Sequence, residues 1–192
     1  MELTEKQVQT LLDLKNVPDA DSIKYKEIIK KSLINNDLII YLLNNKDLES
    51  IEADPSDYLG VNILPAYMIH PTQHNVQNYI CYEVGYRELE RYNSKMKLLQ
   101  ITFYILCEEK NNIEKRTGIA RHDLIGAIIM DIFNWSNLFG GQIHCVSDVP
   151  SVTDNDYATR TIIFEQTTDN NLTKTRGGVP RIIPRTIDAE ER

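Results

Sequence analysis

Leu98-Leu99-Gln100-Ile101-Thr102-Phe103-Tyr104-Ile105-Leu106-Cys107 opens the stretch, residues 96–168, around which the chain is organised. Leu99, Ile101, Phe103, Ile105 and Cys107 recur at every second position, a strand's period, so their side chains share one face. Gln100, Thr102 and Tyr104 interrupt the other face. A polar loop, 108–118, leads to Arg121-His122-Asp123-Leu124-Ile125-Gly126-Ala127-Ile128-Ile129-Met130-Asp131-Ile132-Phe133-Asn134-Trp135. There Leu124, Ile125, Ile128, Ile129, Ile132, Phe133 and Trp135 recur at helical spacing, and Asp123 lies in the first turn, where negative charge suits the helix dipole. A helix with so broad an apolar face has to lie flat against a sheet or be buried between subunits. Gly140-Gly141 ends the segment. Residues 142–147 and 157–167 read as two further strands, with Val149-Pro150 and 153–156 turning between them.

Upstream, Ile80, Tyr82 and Val84 alternate with Tyr79, Cys81 and Glu83, which predicts a strand over 78–87. A charged turn, 87–95, joins it to 98–107, so the two should pair as neighbours. Residues 46–78 are punctuated by Pro55, Gly60, Pro65 and Pro71 and are expected to be irregular, with a short strand or turn near 60–68. Three helices are expected before that. One covers 3–16, capped by Thr4 with Gln7 as its partner. A second runs from Asp21 or Ser22 to Leu33, with Ile23, Ile28, Ile29 and Leu33 as its stripe. The third, 37–44, is apolar nearly all round and expected to be buried. After residue 168, Asp169-Asn170-Asn171, Gly177-Gly178, Pro180 and Pro184 argue against regular packing.

The predicted class is α+β: an antiparallel sheet of about four strands with helices packed on one face. A helical N-terminal extension (1–45) packs on this core (46–168), and an extended C-terminal arm (169–192) follows it. The arm holds Lys174, Arg176, Arg181 and Arg185 with Ile182 and Ile183 between them, and no acid from 174 to 185. Those six residues are the candidate interaction site.

The chain has 192 residues, 42% hydrophobic and 26% charged, enough for one domain with a sizeable core. Its net charge of −7 should repel nucleic acid and anionic membrane as a whole. The charged N-terminus has no apolar run behind it, and no stretch approaches a spanning helix, so synthesis and folding in the cytoplasm are expected. Cys81, Cys107 and Cys145 are widely spaced, odd in number and without a C-x-x-C pair, which suggests reduced core thiols.

Chemistry-bearing patterns are few. A phosphate-binding glycine loop, a dinucleotide fingerprint and a nucleophile elbow are absent from the sequence. His70 and His74 are four apart, but Pro71 between them forbids a ligand-bearing helical turn. His144 and Cys145 are adjacent on a strand and point to opposite faces. Arg121-His122-Asp123 has a kinase loop's residues in the wrong order, at a helix start. The most serious enzymatic reading is a metal-dependent nuclease built on Glu108-Glu109-Lys110 after an apolar strand, with Glu83 on the preceding strand as the second acid. Glu83 falls mid-strand, where that chemistry has no use for it. No enzyme activity, cofactor or metal is expected.

Three segments carry a family likeness. They are Leu99-Gln100-Ile101-Thr102-Phe103-Tyr104-Ile105 with its polar loop, the helix start Ala120-Arg121-His122-Asp123-Leu124-Ile125, and the strand Thr159-Arg160-Thr161-Ile162-Ile163-Phe164-Glu165. In this order they resemble the tail terminator (tail-completion) proteins of tailed bacteriophages. Leu42-Leu43-Asn44-Asn45 and the proline-punctuated loop after it are similar to neck and head–tail joining proteins. The resemblance implies a structural virion protein, a homo-oligomer in a hexameric ring that caps the tail tube and contacts the tail-tube protein and neck or head-completion proteins. DNA would pass through its channel without specific binding. A head-completion adaptor docking on the portal is the alternative, and a non-viral binding module or a nuclease the remoter ones.

Overall fold

Five strands form the main sheet, in the order β1-β2-β3-β5-β4. They are β1 (Ile63–Leu64), β2 (Tyr79–Glu88), β3 (Met96–Glu108), β4 (His144–Thr153) and β5 (Tyr157–Asp169). The computed structural model describes residues 3–13, 21–67, 78–88, 96–153, 157–169, 172–174 and 180–182. Of the expected turns at 87–95 and 153–156, Arg87, Glu88 and Thr153 belong to strands, and residues 89–95 and 154–156, like His70 and His74, lie outside the described residues. β2, β3, β5 and β4 are antiparallel; only the two-residue β1 runs parallel to its neighbour. The alternation read in the sequence holds: Leu99, Ile101, Phe103, Ile105 and Cys107 join Ile80, Tyr82, Ile162 and Phe164 in the core. Against this face lie α2 (Asp21–Ile34), α3 (Asp37–Leu43) and α5 (Arg121–Phe133). Phe103, Phe133 and Phe164 meet at its centre, with ring centroids 5.1 to 6.3 Å apart. Among the described residues the opposite face carries a small cluster around Leu64, Tyr79, Cys81 and Leu106.

Several elements differ from expectation. The segment 46–78 holds a short helix, α4 (Lys46–Ser50), and a 3-10 turn (Pro55–Tyr58), besides β1. Asn44 ends α3 in the left-handed region (φ 49°), and Asn45 caps α4 by accepting from the amides of Asp47 and Leu48. The α2 stripe is Tyr25, Ile29 and Leu33 with Ile28 beside it, whereas Ile23 is exposed. Tyr25 wins the place because its hydroxyl reaches the carbonyl of Phe139 at 2.8 Å. α3 buries Ile39, Leu42 and Leu43 but exposes Leu38 and Tyr41, so it is not buried all round. α1 (Glu5–Asp13) has the expected cap, with the Thr4 amide donating to Gln7 Oε1 at 2.9 Å. It buries none of its residues: Val8, Leu11 and Leu12 are exposed.

β4 continues through Val149-Pro150, which were expected to turn. A proline lacks the amide that an interior strand must donate, but β4 is an edge strand, where one side of the backbone needs no partner. The segment after 168 also departs from the expected irregular arm. β6 (Leu172–Lys174) pairs antiparallel with β7 (Pro180–Ile182), with Leu172 opposite Ile182. Gly177-Gly178 lie between the two strands in sequence, and Pro180 is the first residue of its strand, a position that tolerates it.

A chain of buried amides locks the sheet to the helices. Asn45 Nδ2 donates to Asn62 Oδ1 at 2.7 Å, and Asn62 Nδ2 to the carbonyl of Asn78 at 2.9 Å. Asn78 Nδ2 then reaches the carbonyl of Leu42 at 3.1 Å, while its Oδ1 accepts from the amide of Glu108. Buried polar groups are tolerated only when partnered in this way.

Candidate functional site

Of the six arm residues singled out in the sequence, Lys174, Arg181 and Ile182 stand in the β6–β7 hairpin. Thr173 lies opposite Arg181, and Lys174 opposite Pro180. Arg176, Ile183 and Arg185 lie outside the described residues. The hairpin follows directly on β5. The body that precedes it carries the negative charge; Asp47, Glu49, Glu52, Asp54 and Asp57 are all exposed within one short segment.

The nuclease reading needs acids that converge, and the register separates them. Glu83 lies opposite Thr102, six residues before Glu108 on β3. At about 3.3 Å per strand residue that is roughly 20 Å. The Glu108 carboxylate instead accepts from Asn111 Nδ2 at 2.6 Å. Among the described residues no group of three His, Cys, Asp or Glu side chains is placed to hold a metal. His144 and Cys145 diverge as expected: the imidazole stacks on Trp135, while the Cys145 thiol donates to the carbonyl of Ser147 at 3.3 Å. Cys81 and Cys107 are buried and Cys145 is half-buried, and none of the three is in a disulfide. Burial pushes the Cys107 thiol up to about 12, which leaves it inert.

One charged side chain stands on the apolar side of β5. Arg160 lies against Gly126 of α5 and forms three ion-paired hydrogen bonds. Its Nε and Nη2 bind both carboxylate oxygens of Asp148 at 2.7 and 2.6 Å, and Nη1 binds Asp123 Oδ1 at 2.5 Å. His122 extends the group, with Nε2 3.3 Å from Asp123 Oδ1 and Nδ1 2.9 Å from Asn112 Oδ1. Two carboxylates hold one guanidinium here, which raises the Arg160 pKa further and fixes the start of α5 on the sheet. The arrangement positions a helix.

At the N-terminal end of α5, the loop 112–120 is folded around the buried Glu114. Its carboxylate accepts from the amides of Arg116 and Thr117, the Thr117 hydroxyl and the Tyr41 hydroxyl, at 2.7 to 3.1 Å. These donors, the Arg116 amide foremost, lower its pKa to about 2. The loop so held exposes Ile113 (56%) and Ile119; its Glu114 is bonded to Tyr41 of α3, which is exposed like Leu38 (62%) three residues earlier on the same helix. Lys115 and Arg116 are exposed at its tip.

At the other end of α5, Trp135 is 61% exposed. Its φ of 61° is unusual for a bulky residue. The conformation is held by its amide, which donates to the carbonyl of Ile143 at 2.8 Å, and by its ring, 5.5 Å from that of His144. Leu138 and Val146 are also exposed; Val146 is the extra residue of a bulge in β4. Helical spacing had placed Trp135 on the apolar face of the helix. The chain leaves the helix at Asn134 and carries it out to solvent. A sequence signal for this surface existed: residues 132–147 contain no Asp, Glu, Lys or Arg.

Residues 35–166 match the model of the YomW family. The matched span starts just before α3 and takes in the amide chain, the loop around Glu114, α5 and nearly all of the sheet; α1, α2 and the arm lie outside it. No curated protein matches the chain in sequence. No helix among the described residues is long and apolar enough to cross a membrane. The match covers about two thirds of the chain, including the whole strand–helix–strand core, and the chain belongs to the YomW family, a family of phage-region proteins.

Proposed function

We propose that this phage-associated protein is a structural ring subunit of a tailed virion, the terminator that caps the tail tube and joins it to the neck. The observation that carries the reading is membership of a phage-region family by an α+β domain with one helix-covered sheet face and a basic strand hairpin beyond its last sheet strand. A closed ring needs two different surfaces on each subunit that fit one another. A body of net negative charge and an arm carrying Lys174, Arg176, Arg181 and Arg185, with Ile182 and Ile183 between them, form one such pair. The arm of one copy grips the acidic body of the next. The tail-tube protein and the neck proteins are the remaining partners. DNA crosses the channel without being held, because retention requires Lys and Arg contacts to phosphates and the body is acidic. The protein works without catalysis or cofactor, inside the assembled virion.

Electron microscopy of the purified chain, with its mass in solution, tests this. Six-fold rings with a central hole support the terminator role, and twelve-fold rings shift it to the portal-docking adaptor. A monomer that also fails to bind isolated tail tubes defeats both. Removal of residues 174–192 should weaken assembly and leave the fold intact; unchanged rings would remove the arm from the account.

A further inference from the structure

The exposed apolar residues at the two ends of α5 form two separate surfaces. Thirteen residues at about 1.5 Å each put the ends roughly 20 Å apart. At the N-terminal end stand Ile113, Ile119, Leu38 and Tyr41; at the C-terminal end stand Trp135, Leu138 and Val146. Both are built rather than left over. Glu114 spends its carboxylate on four donors to hold the first, and the second keeps a tryptophan at positive φ in a sixteen-residue run without a formal charge. Charge-depleted, aromatic-bearing surface is the composition of an interface centre.

Their rims are oppositely charged. Lys115 and Arg116 at the first end make no ion pair among the described residues. Asp131, one turn before Trp135, is exposed and likewise without an ion pair among them. It sits in the last turn of α5, where the helix dipole disfavours an acid and no base offsets it. A cation brought to that end from outside would satisfy both.

We infer that the two ends of α5 are the complementary halves of one head-to-tail interface, and that the occupant of each is a second copy of this chain. The Trp135 surface of one copy packs on the Ile113–Ile119 surface of the next, and Asp131 meets Arg116 and Lys115 across the joint. Because the two halves differ and lie at opposite ends of a rigid helix, the contact repeats from copy to copy, as a ring requires, and does not stop at a two-fold dimer. The inference rests on the ring reading above and adds the surface that the arm alone does not supply.

The test uses two full-length variants, Trp135→Glu and the double variant Ile113→Glu/Ile119→Glu, each blocked at one end only. All three side chains are exposed, and circular dichroism should show both variants folded. Wild-type chain is expected to assemble, each variant alone to stay monomeric, and an equimolar mixture to give a dimer of two 22.2 kDa chains and nothing larger. Trp135 is the only tryptophan, so its emission should shift to the blue as wild type assembles. Trp135→Ala should weaken association by about thirtyfold or more, as for a central aromatic anchor. Arg116→Asp should weaken it, and Asp131→Arg added to the same chain should restore it. The inference is overturned if wild type assembles while either blocked variant assembles as well, or while the mixture stays monomeric. If wild type assembles neither alone nor on tail tubes, the ring reading fails first and the inference falls with it.

Discussion

A β-carbon on Gly126 would stand 2.8 Å from Cδ of Arg160. The glycine interrupts an apolar helix in order to let a guanidinium pass between α5 and the sheet and reach Asp123 and Asp148. Gly126→Ala should gain about 1 kcal/mol of helix propensity. The displaced side chain cannot swing away without breaking its bonds to two carboxylates, and overpacking of this kind costs about 1–3 kcal/mol. A net loss of roughly 1 kcal/mol is expected in denaturant melts. Arg160→Met should cost about 2 kcal/mol, the scale of hydrogen bonds to charged groups. Combined with Gly126→Ala it should cost less than the sum, because a methionine is not tied to the two carboxylates and can turn away from the methyl group. Strict additivity would show that the two residues do not share the space.

Asn78 ties three parts of the fold at once: the end of α3 through Leu42, the end of β3 through Glu108, and β1 through Asn62. Its side chain is buried, so Asn78→Ala takes the partner from the amide of Glu108 and leaves the carbonyl of Leu42 only the long bond from Arg121 Nη1 at 3.5 Å. A loss of about 1–3 kcal/mol is expected, the scale of one unsatisfied buried group. Asn78→Asp should be no better than alanine, since it restores the acceptor but turns the donor into a buried charge. Calorimetry of the two variants beside wild type settles the order.

The Glu114 loop should be acid-sensitive in a defined window. Folding lowers this carboxyl from its ordinary value of 4.5 to about 2, so its contribution to stability is complete above about 4.5 and disappears as pH falls towards 2. Melting temperatures of wild type and Glu114→Gln should therefore differ most near neutral pH and converge towards pH 2. A gap that stays constant with pH would assign the loop's stability to other bonds. Hydrogen-exchange protection of the amides of Arg116 and Thr117, corrected for the intrinsic pH dependence of exchange, should fall over the same window.

Trp135 holds a backbone conformation that glycine adopts freely. Trp135→Gly should relieve about 1 kcal/mol of strain and lose part of that with the His144 stack. The isolated subunit should be as stable as wild type or slightly more so. Assembly should be lost in the same variant. Stability kept and assembly lost would mark the residue as retained for contact; a large loss of stability would mark it as structural.

The alternation of Leu99, Ile101, Phe103, Ile105 and Cys107 and the helical spacing of 124–133 depend on local geometry alone. They were legible in the sequence together with the antiparallel order they imply. Burial also follows from such periods wherever an element has one dry face, which is why the core face of β3 was legible. The fate of Pro150 was not legible, because whether a proline can stay in a strand depends on whether that strand is at an edge. Trp135 was misplaced for a similar reason. Its spacing continues the helix, but the hydrogen bond from its amide to Ile143, eight residues later, turns it outwards. Ile23 lost its place to Tyr25 through a bond to Phe139, more than a hundred residues away in sequence. The hairpin of the C-terminal segment depends on pairing across Gly177-Gly178, which composition alone read as a break.

The sequence by itself determined the class of fold, the faces of its strands and main helix, and the charge contrast between body and arm, because each is a property of neighbours along the chain. Only the tertiary structure decided that Arg160 is a buttress, that Glu114 organises a loop, and that apolar side chains emerge at both ends of α5. Each of those depends on groups brought together from distant parts of the chain, and periodicity carries no information about such meetings.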